Sequence, residues 1–220
     1  PTYRLSGEEL EGPRGRIYLV KGLLEEGKYS SEIRTHLDSC LLCRNCETTC
    51  PSGVQYGNLL ELVRPRVYEE TNDTIFSKIS RTLIKTIFSS RRLFATLLWF
   101  GRVVRPFTPK SIAQIIPPKT PTISYKETEA NKTHILLTGC VQPSLNPNID
   151  EAAKSVFQRL DIELRNVSGS GCCGAIAYHL GDRAAAEKAA RRNLKAWWSF
   201  VQEKNTPIVA TSTGCSLHLK

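Results

Sequence analysis

The stretch Cys40-Leu41-Leu42-Cys43-Arg44-Asn45-Cys46-Glu47-Thr48-Thr49-Cys50-Pro51 constrains this chain more than any other. Its spacing, C-x2-C-x2-C-x3-C-P, is the one that wraps a [4Fe–4S] cubane. Three thiolates two residues apart, on a loop entering a helix, can converge on three irons of one cube. The fourth, followed by proline, starts a segment that points elsewhere. A structural zinc site instead shows two separated C-x2-C pairs. Cys40, Cys43, Cys46 and Cys50 are therefore read as iron–sulfur ligands, and electron transfer as the chemistry. Where two such runs coexist, the fourth cysteine of each serves the other cluster. Only one run is present here, so Cys50 either completes a single cluster or serves a second one with upstream ligands. The second arrangement is preferred, because Pro1-Thr2-Tyr3 reads like residues that follow a cysteine.

The remaining four of the eight cysteines fall as a vicinal pair and two singles, which is no disulfide framework. A reducing, cytoplasmic compartment is expected. The apolar content, 40% of 220 residues, suffices for one large or two modest cores. The most apolar stretch, Leu93 to Val104, is interrupted by Gly101 and Arg102 and falls short of the ~18–20 residues a membrane span needs.

Charge is strongly segregated. From Thr74 to Lys126 there are ten Lys and Arg residues and no Asp or Glu; without them 20 basic residues face 21 acidic ones. That one segment thus carries the whole net charge of +9. Its apolar residues recur at Ile75, Ile79, Leu83, Ile87 and at Phe94, Leu97, Leu98, a helical spacing with a basic opposite face. Such helices either dock on an anionic membrane or a partner, or pack within the molecule. Nucleic acid is disfavoured, because the aromatics lie on the apolar side and no binding motif appears.

The pattern predicts an α+β chain. Residues 1–72 form a helical cluster domain, with a helix from Pro13 towards Glu26, a short one capped by Ser30 or Ser31, and a stripe of Leu59, Leu60, Leu62, Val63 and Val67. Residues 73–131 are basic helices followed by a linker with five prolines between Pro106 and Thr122. Residues 132–220 alternate between strand and helix. Strands are expected at 134–137, 161–167 and 208–210. Helices are expected from Asn146 or Asn148 to Leu160, with Ala152, Val156, Phe157 and Leu160 on one face, and from Arg183 to Lys204. Such alternation implies a parallel sheet.

Cys140 follows the first strand, Cys172-Cys173-Gly174 the second and Cys215 the third. Ligands of open α/β sheets bind at the carboxyl ends of strands, so four thiols distant in sequence converge there. The soft donor set suits an iron–sulfur cluster or zinc. A catalytic dithiol is disfavoured, since vicinal cysteines close only a strained disulfide. His179 and His218 are secondary candidates as proton relay and ligand. Trp197 and Trp198 read as packing residues on a helix face. No G-x-G-x-x-G follows a strand, so no residue is assigned to catalysis of hydride transfer.

Cys140, Cys172-Cys173-Gly174 and Cys215 together resemble the cysteine-rich CCG domain of heterodisulfide reductases, anaerobic glycerol-3-phosphate dehydrogenase and lactate-utilisation proteins. In its full form the last cysteine belongs to C-x-x-C; here Cys215-Ser216-Leu217-His218 lacks the second. With Gly12-Pro13-Arg14-Gly15-Arg16-Ile17, the cysteine run, Thr138-Gly139-Cys140-Val141-Gln142-Pro143, Gly171-Cys172-Cys173-Gly174 and Ala196-Trp197-Trp198, the chain is similar to the glycolate oxidase (glycolate dehydrogenase) iron–sulfur subunit family. The resemblance implies a ferredoxin-like cluster domain, a basic helical connector and a first CCG repeat, hence an internal fragment of a longer chain. It also implies one or two [4Fe–4S] clusters, and a CCG centre on Cys140, Cys172, Cys173 and Cys215. A flavin-containing subunit would oxidise the 2-hydroxy acid, and electrons would pass towards quinone at the inner face of the cell membrane. Lactate, glycerol 3-phosphate or disulfide complexes, and a zinc-stapled interaction module, are the alternatives.

Overall fold

The computed structural model describes residues 2–71, 74–123 and 130–219. Pro1 and Lys126, both used above, lie outside them. The chain divides into two compact units, Pro1–Ile79 and Ser80–Lys220.

The first unit is helical: α1 (Thr2–Ser6), α2 (Pro13–Glu26), α3 (Ser31–Asp38), α4 (Asn45–Thr48) and α5 (Tyr56–Glu70). Pro13 opens α2 where its missing N–H costs nothing, and Gly27 closes that helix in the left-handed conformation. Ser30 caps α3, accepting from the Ile33 N–H at 3.2 Å. Val20 and Leu23 of α2 meet Leu37 of α3 and Leu60, Val63 and Val67 of α5 in one core. Leu62, expected in that stripe, is exposed.

The Gly12–Arg16 motif has a physical explanation. A Cβ on Gly15 would stand 2.2 Å from the Glu9 carbonyl, so only glycine fits. Arg16 is buried and donates to Glu11 Oε2 (2.5 Å), Ser39 Oγ (2.8 Å) and the His36 carbonyl (2.8 Å). Burial alone would raise the Glu11 carboxyl, but bonds from Ser39 and His36 and the Arg16 charge bring it below its ordinary range. This ion pair fixes the end of α3, the residue before Cys40.

Helix α6 (Ile75–Ser89) bridges the division in sequence; α7 (Arg91–Val104), capped by Ser90, and the short α8 (Lys110–Ala113) follow. The rest is β1 (Lys132–Leu137), α9 (Gln142–Leu145), α10 (Asn148–Arg159), β2 (Ile162–Arg165), α11 (Ala175–His179), α12 (Arg183–Lys204), β3 (Ile208–Ala210) and α13 (Thr213–Leu219). The sheet is parallel, ordered β2-β1-β3, with Lys132 opposite Ile162 and Ile135 opposite Ile208. Central β1 is apolar throughout its second half because Ile135, Leu136 and Leu137 are wholly buried. No helix among the described residues is long and apolar enough to cross a membrane.

The α+β architecture agrees with expectation; several details differ. Neither Asn146 nor Asn148 caps α10 through its side chain. Asn148 instead clamps the proline-rich segment, donating to the Pro121 carbonyl at 2.8 Å and accepting from Ile123 N–H at 2.8 Å. Helix α10 is rotated from its expected facing: Ala152, Val156 and Leu160 are exposed, while Asp150 and Phe157 turn inward. The cause is polar. The Asp150 carboxylate accepts from Thr211 Oγ1 (2.6 Å) and Gln142 Nε2 (2.9 Å), which sets the helix's rotation. Strand β2 is shorter than 161–167, because Asp161 adopts a left-handed turn conformation before it. Of the tryptophans, Trp197 packs in the core and Trp198 is exposed.

Candidate metal centres

In the first unit, Cys40, Cys43 and Cys46 line one cavity of about 430 Å³, together with Leu42, Tyr56 and Gly57. The loop reaches this shape through two left-handed non-glycine residues, Leu42 (φ 52°) and Arg44 (φ 55°), placed between the cysteines. Such conformations are sterically costly and persist only where the surroundings impose them. Here the Leu42 N–H points at Cys40 Sγ, 3.5 Å away. The Arg44 guanidinium is held by Glu61 at 3.1 Å, and Glu47 accepts from the Gly57 N–H at 2.6 Å. A Cβ on Gly57 would press within 2.8 Å of Arg44 Nε and 2.9 Å of Glu47 Oε1. Burial, then the nearness of Cys40, pushes the Cys46 thiol up. Thiols that hinder one another's ionisation are relieved by an arriving cation, so the set fits a metal centre. Cys50 is not among the residues lining that cavity. Backbone N–H groups of Val54 and Ser52 hold its thiol below the ordinary value.

In the second unit the four remaining cysteines come together from three strand ends, two of them from the end of β2. Cys140 lies beyond β1, Cys172 and Cys173 beyond β2, and Cys215 in the first turn of α13 beyond β3. Cys140, Cys172 and Cys173 are buried. All four are free thiols whose side chains interact in a chain of hydrogen bonds: Cys140 with Cys172, Cys172 with Cys173, and Cys173 with Cys215. The bond with Cys172 and burial push Cys140 up, and the same neighbour pushes Cys173 up. Cys172 is pulled down by bonds from Cys140 and Cys173, and Cys215 to about 7 by the bond from Cys173. Four thiols that perturb one another's ionisation are an array of soft donors suited to a metal centre.

The scaffold behind this array was not foreseen. Asn193 of α12 is wholly buried and takes the Gly171 N–H at 2.8 Å while donating to the Cys172 carbonyl at 3.0 Å. Arg192 donates to the same carbonyl at 3.0 Å. Gly174 sits at φ 96°, and a Cβ there would meet the Ala186 carbonyl at 3.0 Å. The sequence signal was present only as the R-N pair in an otherwise ordinary helix. A cavity of about 470 Å³ adjoins Cys173 and is lined also by Trp197, Ile208 and His218. His218 and His179 join Tyr178 in a ring cluster, with centroids 5.2 Å (Tyr178–His218) and 6.2 Å (His179–His218) apart.

Comparison with known proteins shows what the second unit is similar to. A family model for the cysteine-rich domain matches residues 135–220. The whole chain is 39% identical to the glycolate oxidase iron–sulfur subunit of Escherichia coli K12, covering 54% of it. It is 24% identical to the probable glycolate oxidase iron–sulfur subunit of Bacillus subtilis 168, again along its entire length and covering 55% of that protein. A shorter match, 32% over 66 residues, links 30% of the chain to 27% of lactate utilization protein A of Bacillus pumilus. The chain therefore spans about half the length of the curated relatives it matches along its whole length. The resemblance read from its motifs is borne out. No solved structure matches.

Proposed function

We propose that this CCG-containing chain is the electron-relay part of an oxidoreductase that oxidises a 2-hydroxy acid, glycolate being the first candidate. Cys40, Cys43 and Cys46 hold one [4Fe–4S] cluster, Cys50 serves a second, and Cys140, Cys172, Cys173 and Cys215 hold the CCG centre, with iron–sulfur preferred over zinc. A bound cluster takes up and releases single electrons. The chain's own residues supply the rest. The Leu42 N–H stabilises charge on the Cys40 sulfur, burial keeps water from Cys172 and Cys173, and Asn193 holds the Cys172 backbone in place. A partner subunit with a flavin takes the hydride, because that chemistry is a cofactor's. Electrons then leave towards quinone, at the cytoplasmic face of the cell membrane.

The observation that carries this reading is the gathering of four sulfurs from three strand ends in the second unit. Similarity to two glycolate oxidase iron–sulfur subunits supports the substrate class, and the lactate-utilisation match keeps glycolate itself as one member of it. The test is anaerobic purification of the full-length protein with its co-purifying subunits. Iron with acid-labile sulfide, and a paramagnetic signal on reduction by glycolate or lactate, are expected. Zinc without sulfide would overturn the reading in favour of a zinc-stapled module.

A further inference from the structure

Helices α6 and α7 leave much of their apolar surface exposed while turning some of their cations inward. On α6, Ile79, Leu83 and Ile84 are 52%, 54% and 42% exposed, with Ile75 and Phe76 more so in its first turn. Of its basic residues Lys78 is exposed, but Lys85 turns to protein and pairs with Asp182, the residue that caps α12. Helix α7 buries Phe94 but turns one cation inward as well. Arg102 turns inward and donates to the Pro117, Pro118 and Ser144 carbonyls at 3.0, 3.2 and 3.3 Å. Leu97, Phe100 and Val103, offset by three residues each, stand outward at 44%, 56% and 51% exposure. The helices are joined by Phe88 and Phe94, whose ring centroids lie 5.2 Å apart. Phe107, just beyond α7, is 87% exposed.

Ordinary amphipathic helices bury the apolar stripe and leave cations in water. A pair doing the reverse presents an apolar surface that needs a cover. The chemistry of the rim says which. The segment from Thr74 to Lys126 has no acidic residue at all. Arg91 and Arg92 are exposed in the first turn of α7, where the helix dipole disfavours cations and no acidic residue offsets them. Local stability does not explain two arginines there; attraction to an external anionic surface does.

We propose that α6, α7 and the Phe107 turn form an interfacial membrane anchor. Their apolar faces insert among the acyl chains of an anionic bilayer, and Arg91 and Arg92 meet its headgroups. The proposal deepens the membrane step of the function above, but needs neither a particular substrate nor a particular centre.

The test uses the full-length protein in complex with its co-purifying subunits. It is sedimented with vesicles of phosphatidylglycerol and phosphatidylcholine, or of phosphatidylcholine alone, at low and high salt. Binding that requires the anionic lipid and weakens with salt is expected. Leu83→Glu/Phe100→Glu should lose it while retaining iron and activity with a soluble electron acceptor. Arg91→Glu/Arg92→Glu, at exposed sites where acidic residues favour the helix, should fold as well as the parent yet bind about tenfold more weakly. A complex that stays in the supernatant overturns the proposal. So does release of a partner subunit by the Leu83/Phe100 pair with vesicle binding unchanged, because the face is then a subunit interface. Failure of glycolate or lactate to reduce the protein bears only on the earlier reading.

Discussion

At the scale of single residues, the second thiol array depends on a side chain that never touches a sulfur. Asn193 satisfies the Gly171 N–H and the Cys172 carbonyl from inside α12. Leaving such buried groups unpaired costs about 1–3 kcal/mol each. Asn193→Ala should therefore lower the melting temperature of the second unit and reduce iron bound there, with the spectrum of the first unit unchanged. Full retention of iron would show that Cys172 is held by its neighbours alone. The gathering of the second set of cysteines was legible in the sequence, because each follows a strand of a parallel sheet, whose carboxyl ends lie along one edge. Asn193 and Arg16 were not. Their deciding partners include backbone groups 20 or more residues away, the His36 carbonyl for Arg16 and the Cys172 carbonyl for Asn193, and only the folded chain brings them together. Gly15 and Gly57 belong to the same class, since their need for a bare Cα is set by Glu9 and Arg44 across a gap in sequence.

At the scale of elements, periodicity gave the helices and strands but not always the direction each one faces. The stripe on α10 was real, yet Asp150 turned it by choosing Thr211 and Gln142. The stripe on α6 was also real and faces largely outward, where Lys85 turns inward to Asp182, whereas on α7 Phe94 is buried and Leu97 stands outside. A hydrophobic pattern fixes which residues share a face, whereas a buried polar contact decides where that face goes. Asp182 is the clearest case, and it is open to titration. The bond from Lys85, then the Ala185 N–H, holds its carboxyl below the ordinary range. A carboxyl lowered on folding stabilises fully above its unfolded value, about 3.9. That contribution is lost as pH falls through the lower folded value. Thermal melts should thus show a loss of stability below about pH 4 that Asp182→Ala diminishes, the variant also losing about 1 kcal/mol near neutrality through the missing cap. An acid limb of equal steepness in the variant would assign the effect to other carboxyls.

At the scale of the whole molecule, each unit builds its thiols into its own core. Cys40 and Cys46 pack against Val20, Leu37 and Leu60, while Cys173 and Cys215 pack with Ile135 and Trp197. Since binding energy at a ligand set formed only in the folded state becomes folding energy, each proposed centre should stabilise the unit that carries it. The two sites should therefore be lost separately. In the full-length protein, Cys46→Ser should abolish the signal of the first centre and lower one thermal transition, leaving the CCG signal in place. Cys140→Ser should do the converse. The choice of Cys140 matters, because Cys173 lies deeper in the core and its replacement would confound loss of metal with loss of packing. The measurement is iron content with paramagnetic resonance on each variant, alongside a thermal melt. If either substitution removes both signals, the centres assemble in an obligatory order and the units are not independent as folding bodies. If each removes one, the relay is two separately stable stations, and electron transfer between them can be cut by single changes without unfolding either.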